Sequence, residues 1–480
     1  MNHKRWIFVL LGVAFLLFFT WLPPLAPAVD PMGKAFPLPE EGKRALGLFL
    51  LAGTWWIFEV VPIGVTSIAI GVLQAIFAIR PAKEAFRDFM DPTVMFILGS
   101  LLIGLAFTKS GLTRRLAYRM LILVGEDTRL IMLGCFVTTA LLTHLMAHTA
   151  VAATMFPILM AITALYSDGS EAPTRFGKAL FIGMAYTAGA GSMATLLGGA
   201  RNPAAVGFFK EFTGADITFT EFSVHLAPMA WVLVLIMWVF LVALYRPEQT
   251  RIAGLRERAR ELYAQLGPMN RQEIFVLVVV GLALATLVLQ GFVPALKGLD
   301  RSVPLLAAGL VFFLFGLLDV EDLEKRVPWN IVLLFSGAMS IGFALWKTGA
   351  AQWVAINWLT MFQGAHWLFF VLAIAVLVLF MTNFIMNVAA IAITLPVALV
   401  IAGYLGVNPY LVLYASVAMA SLPLMLLIGA APNAIAYQSR QFTTGQFFLT
   451  GLAGNVLVLA VLVLFIFTVW PLEGLRPLLR

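Results

Sequence analysis

The sequence predicts an all-α polytopic membrane protein of about eleven transmembrane helices, built from two internal repeats that each hold a polar-interrupted hairpin and a Gly-rich break. Three observations lead there. Of the 480 residues 61% are hydrophobic and 11% charged, with a mean hydropathy of +0.97, against roughly 45–50% and 25% in soluble domains. Apolar runs near the ~20-residue bilayer length recur along the chain, among them 6–22, 130–142, 229–244, 274–289, 305–318, 367–380 and 456–469. Two apolar segments, 239 residues apart (382 less 143), also carry polar residues in one register: Thr143 with Thr382, His148 with Asn387, Ala150 with Ala389, Pro157 with Pro396.

Taken in order, residues 1–42 hold a first span and a loop. His3-Lys4-Arg5 precede the span, Pro23-Pro24 follow it, and no small-residue cleavage site is present, so it reads as a retained helix with its N-terminus in the cytoplasm. Residues 43–245 form repeat 1 and 273–480 repeat 2. Between them, 246–272 is a cytoplasmic linker with amphipathic helical charge and Arg251, Arg256, Arg258 and Arg260. Within each repeat a Gly-bearing span ends at Lys109-Ser110-Gly111 or Lys347-Thr348-Gly349. The hairpin follows, then a break ending at Asn202 or Asn433.

The composition narrows the function. A net charge of +7 reports topology in a chain this apolar, and no basic-aromatic surface for nucleic acid is visible. The single Cys135 cannot form an intramolecular disulfide. His144 and His148 share a helix face, but Leu145 stands where a zinc protease needs Glu, so the chain is not read as an enzyme. What remains is transport chemistry. Gly189-Ala190-Gly191-Ser192 with Gly198-Gly199, and Pro423 with Gly429 and Pro432, free backbone groups that lipid cannot satisfy, and such breaks persist where they line a cavity. Arg201 either faces that cavity and an anion or snorkels at an interface. Glu59, beside Trp55-Trp56, is an intramembrane or an interfacial acid.

At these residues the chain resembles the divalent anion:sodium symporter family, whose members move di- and tricarboxylates or sulfate. Trp55-Trp56-Ile57-Phe58-Glu59 through Thr66, Gly111-Leu112-Thr113-Arg114-Arg115, and Ala431-Pro432-Asn433-Ala434-Ile435-Ala436-Tyr437 carry the likeness. It implies inverted repeats, each with a re-entrant hairpin and a broken helix, a homodimer in the plasma (inner) membrane, and elevator motion. The family's Ser-Asn-Thr hairpin tips are here Ala147-His148-Thr149 and Met386-Asn387-Val388. The expected substrate-binding residues are His148, Thr149, Arg201, Asn202, Asn387 and Asn433. Thr382 and Asn387 are expected at a Na+ site in repeat 2, and Thr143 at a remnant site in repeat 1. No other cofactor is expected. The reading is a secondary carrier of small divalent or multivalent anions coupled by exchange or by Na+/H+ symport, with a Na+-coupled sulfate symporter as the alternative and an anion channel third.

Overall fold

The computed structural model describes residues 3–29, 33–58, 60–167, 172–290, 292–296, 298–362, 366–384 and 386–478; Glu59 lies outside them. Most of it is helix. The first half runs α1 (His3–Trp21), α2 (Glu40–Ile57), α3 (Ile63–Ile76), α4 (Ala82–Arg87), α5 (Pro92–Ser110), α6 (Leu112–Val124), α7 (Thr128–Thr143), α8 (His148–Tyr166), α9 (Arg175–Ser192), α10 (Arg201–Thr213) and α11 (Phe219–Tyr245). A two-residue antiparallel pair, Ala28–Val29 with Ala35–Phe36, bridges the loop after α1. The linker holds α12 (Leu255–Gln265). The second half runs α13 (Arg271–Leu289), α14 (Ser302–Leu314), α15 (Trp329–Lys347), α16 (Ala350–Phe362), α17 (Trp367–Phe384), α18 (Asn387–Leu405), α19 (Pro409–Ala420), α20 (Ala431–Tyr437) and α21 (Thr444–Phe467). Among the described residues, seven helices are long and apolar enough to cross a membrane, and six more apolar helices are of 10–17 residues.

Local chemistry sets the ends. Asp91 caps α5 by accepting from Thr93 N–H, and Gly111 ends it in a left-handed turn at φ 88°, a conformation natural to glycine. Asp127 accepts from Arg129 and Leu130 N–H at α7, Thr174 caps α9, and Asn270–Glu273 and Thr443–Gln446 form capping boxes at α13 and α21.

The halves interlock. Helix α3 packs on α15 and α5 on α14, while α8 meets α20 and α10 meets α18. Both ends of the first hairpin are tied to the linker: Thr128 N–H donates to Thr250 O at 3.0 Å and the Tyr166 hydroxyl to Glu248 at 2.9 Å. The far end of α18 is tied instead to the C-terminal segment, where Asn408 N–H donates to Pro477 O at 2.8 Å. That segment sits at the opposite face. Glu473 bonds His225 near the start of α11 at 2.8 Å, and α11, roughly 40 Å long at 1.5 Å per residue, ends at the linker. The ends of the first hairpin and the far end of α18 are therefore tied at opposite ends of α11.

Candidate functional site

The hairpin turns and the breaks meet at one cavity of about 490 Å³. Its wall includes Ala147, His148 and Thr149 from the first tip, Met386, Asn387 and Val388 from the second, Ala200 and Arg201 from the first break, and Gly429, Ala430 and Ala431 from the second. Ser100 and Thr108 of α5 line one side, and the cavity reaches Arg326 in the turn before α15. Among the described residues no Asp or Glu lines it.

Helices α8, α10, α18 and α20 all present their N-termini here. Their N-cap positions are Ala147, Ala200, Met386 and Ala430, and none supplies a side-chain cap. Side-chain caps do close α5, α7, α9, α11, α13, α19 and α21, while α2, α3, α4, α6, α12, α14 and α15 are, like the four at the cavity, without one. Uncapped first-turn N–H groups and the positive dipole ends are what an anion needs. A serine or aspartate at these caps would have occupied the same donors.

Arg201 is 1% exposed. Its Nε donates to Ser421 Oγ at 2.8 Å and its NH2 group to Ser192 Oγ at 2.5 Å, so one guanidinium spans both breaks. Among the described residues no carboxylate lies within ion-pairing distance of it. The interfacial alternative from the sequence therefore does not describe this side chain. His148 opens α8; its backbone N–H donates to Gly198 O at 3.3 Å, while its Nδ1 is buried without a partner among the described residues.

Asn202 and Asn433 sit behind the wall. The Asn202 amide donates to Ser192 O and Thr195 O, both at 2.7 Å, and the Asn433 amide to Pro423 O at 2.7 Å and Leu426 O at 3.0 Å. Each thus ties carbonyls ten and seven residues back. The amide nitrogens expected to meet substrate are committed to bracing the two breaks, and neither residue lines the cavity.

Behind the second tip, the Thr382 hydroxyl donates to Asn387 Oδ1 at 2.8 Å and to Ala420 O at 3.1 Å. Three oxygens thus converge in a buried place, the donor type that suits a hard cation. Behind the first tip the Thr143 hydroxyl donates to Ala140 O at 2.7 Å and His148 offers no side-chain oxygen. Close packing holds this region. A Cβ on Gly191 would lie 2.4 Å from Thr143 Oγ1, and one on Gly198 2.5 Å from Thr143 O.

Three contributors, Asn383, Thr195 and Ser421, were not singled out from the sequence. Asn383 Oδ1 accepts from Met425 and Leu426 N–H at 2.8 and 3.2 Å, joining the second hairpin to its break. The Thr195 hydroxyl makes the corresponding joint to His144 O at 2.7 Å. Ser192 and Ser421 seat Arg201. Single polar residues in apolar surroundings were the available signal.

A family model described as the sodium:sulfate symporter transmembrane region matches residues 3–475. The chain is 25% identical over 454 residues to a sodium-dependent dicarboxylate transporter, SdcS, of Staphylococcus saprophyticus, covering 90% of this chain and 87% of that protein. To SdcS of Staphylococcus aureus it is 26% identical over 455 residues, covering 91% and 87%. Two solved structures share the fold: Neisseria gonorrhoeae MtrF, described among antimetabolite efflux pumps, with TM-score 0.60, 14% identity and coverage of 97% and 94%, and the Alcanivorax borkumensis YdaH transporter, with TM-score 0.59, 14% identity and coverage of 98% and 99%.

Proposed function

Because the chain belongs to the sodium:sulfate symporter family, the divalent anion:sodium symporters, and is a membrane transporter rather than an enzyme, we propose that it is a secondary carrier of small dicarboxylate-class anions. The observation that carries this reading is the convergence of four uncapped helix N-termini and Arg201 on a cavity that, among the described residues, no carboxylate lines. Its volume of about 490 Å³ favours an elongated dianion over one tetrahedral sulfate. The relatives named as sodium-dependent dicarboxylate transporters support the same substrate class.

In this reading Thr149 and Asn387 donate hydrogen bonds to substrate, and Arg201, with His148, supplies positive character. Thr382, Asn387 and the Ala420 carbonyl hold one Na+ in repeat 2. Repeat 1, with Thr143 and His148 at the corresponding places, keeps only a remnant. Asn202 and Asn433 serve by shaping the breaks. The tying of the hairpins at opposite ends of α11 and the crossed packing of the halves support two inverted repeats and about eleven spans. The hairpins, α9, α10, α19 and α20 then move as one body past the other helices of an elevator-type homodimer. The Arg-rich linker places that face and the N-terminus in the cytoplasm, in the plasma (inner) membrane.

Coupling follows from charge. An empty site that buries Arg201 must carry unpaired charge through the transition, which costs several kcal/mol, so the loaded carrier crosses faster and anion exchange outruns net uptake. The test is counterflow in proteoliposomes with succinate, citrate and sulfate, with and without Na+. Saturable counterflow of succinate with little sulfate flux is expected. Non-saturable flux without trans-stimulation would replace the carrier by a channel, and sulfate counterflow alone would replace the substrate class.

A further inference from the structure

A second cavity, of about 200 Å³, opens on the outer side of the first hairpin between α6, α8 and α12. Helix α6 is 13 residues, roughly 20 Å at 1.5 Å per residue, too short for a ~30 Å hydrocarbon core. It carries Arg114, Arg115 and Arg119 among apolar residues, as an interfacial helix does. Helix α12 lies on it. The Arg256 Nε donates to Ile122 O at 3.0 Å, and Arg115 bonds Glu273 at 2.8 Å and Gly267 O at 2.9 Å.

These bonds commit Arg115 and Arg256 to the protein itself. The cations on the groove are different ones. Arg114 is exposed and, among the described residues, has no ion-pair partner. Among the described residues Arg258 pairs only with Glu261, both side chains 55% exposed, a contact that contributes little. Below them the groove is aliphatic, with Ile158, Ile162 and Leu165 of α8 facing Leu262 of α12. A small soluble anion would satisfy the arginines and leave this slot empty. A molecule with one phosphodiester and a hydrocarbon chain satisfies both, and the linker face is where basic interfacial pockets meet anionic headgroups.

We propose that this groove binds one anionic phospholipid, its phosphodiester between Arg114 and Arg258 and one acyl chain in the slot against α8. The lipid would bridge the linker helix to the returning arm of the first hairpin, just outside Pro157, and would tie the stability and turnover of the carrier to membrane composition. This is independent of which anion is carried.

The test uses the full chain in phosphatidylcholine vesicles, with and without phosphatidylglycerol, reading thermal stability and counterflow rate. Phosphatidylglycerol is expected to raise both. Each interfacial arginine contributes about a five-fold gain in anionic-lipid affinity, so Arg114→Gln with Arg258→Gln should weaken the phosphatidylglycerol response roughly thirty-fold while leaving behaviour in phosphatidylcholine unchanged. Ile162→Trp, which fills the slot and keeps both arginines, should abolish the response too; should that variant not fold, retention of phosphatidylglycerol by the double arginine variant, read by mass spectrometry after purification, decides. A response that survives in the double variant, its absence in the wild type, or its reproduction by soluble glycerophosphate would each overturn the proposal.

Discussion

Replacing Arg201 by Met separates substrate binding from folding. Met keeps much of the side-chain length and removes the charge. In the protein the guanidinium is 1% exposed, held by Ser421 and Ser192 and by no carboxylate. Losing two charge-assisted hydrogen bonds costs about 1.5–3 kcal/mol each. Removing an uncompensated buried charge returns several kcal/mol. The empty carrier should therefore keep or raise its melting temperature. Substrate binding moves the other way. At an effective dielectric of about 20, a carboxylate some 4–5 Å from the guanidinium gains roughly 3–4 kcal/mol, so Arg201→Met should weaken succinate binding about 100- to 1,000-fold. Arg201→Lys, which keeps charge but not the planar fork, should fall between. Calorimetry on purified protein reads the affinity and a thermal melt without substrate reads the stability. Undiminished affinity in the Met variant would refute the assignment, and a fall in affinity matched by a collapse in melting temperature would make Arg201 a structural brace.

Asn202→Ala and Asn433→Ala each strand one buried and one part-buried carbonyl at about 1–3 kcal/mol apiece, and should lower thermal stability by roughly 2–6 kcal/mol with succinate affinity preserved; a pure loss of affinity would restore them to the substrate site. Gly198→Ala places a methyl against Ser192 O and Thr143 O, and such overpacking against backbone costs about 1–3 kcal/mol, so an unchanged melting temperature would show that the break relaxes freely. His148→Asn gives the first tip the amide that Asn387 supplies at the second, and counterflow should become more sodium-dependent; identical sodium curves for variant and wild type would count against a remnant site. Acid should release the linker. The Arg251 guanidinium holds the Glu126 carboxyl below its usual range. At Glu248 burial acts upward, but hydrogen bonds from Arg175 N–H, Tyr166 and Phe176 N–H outweigh it and the carboxyl is again lowered. A depressed folded-state pKa stabilises above the unfolded value of about 4.3 and that contribution disappears as pH falls through the folded value. Hydrogen exchange over 246–254 should therefore speed up below about pH 4, less so in Glu248→Gln, and pH-independent protection would contradict it.

The residues at the tips were legible because polarity in an apolar chain is expensive to keep. Thr382 and Asn387 stood out in Met381-Thr382-Asn383-Phe384-Ile385-Met386-Asn387, and their side chains do meet at 2.8 Å. Arg201 could be found but not placed, since what seats it is Ser421, 220 residues away. Asn202 and Asn433 show the opposite limit. An asparagine closing a Gly-rich break is visible in sequence, yet whether its amide faces a cavity or the loop behind it depends on carbonyls seven and ten residues back, whose direction is set by the fold of the break itself. That the two hairpins are tied at opposite ends of α11 was likewise beyond a count of apolar runs, because several helices are too short for length alone to say whether they cross.

The crossed packing of the halves bears on how the protein is made. When α5 has been synthesised, its partner α14 is still nearly two hundred residues from being translated, and α3 waits longer for α15. Until then the small-residue faces around Gly99 and Gly64, which end against Leu305 and Asn330, meet lipid or a membrane chaperone. Assembly must therefore be largely post-insertional. A chain severed within 246–254 should yield fragments that insert separately and become a carrier only when both are present in one membrane.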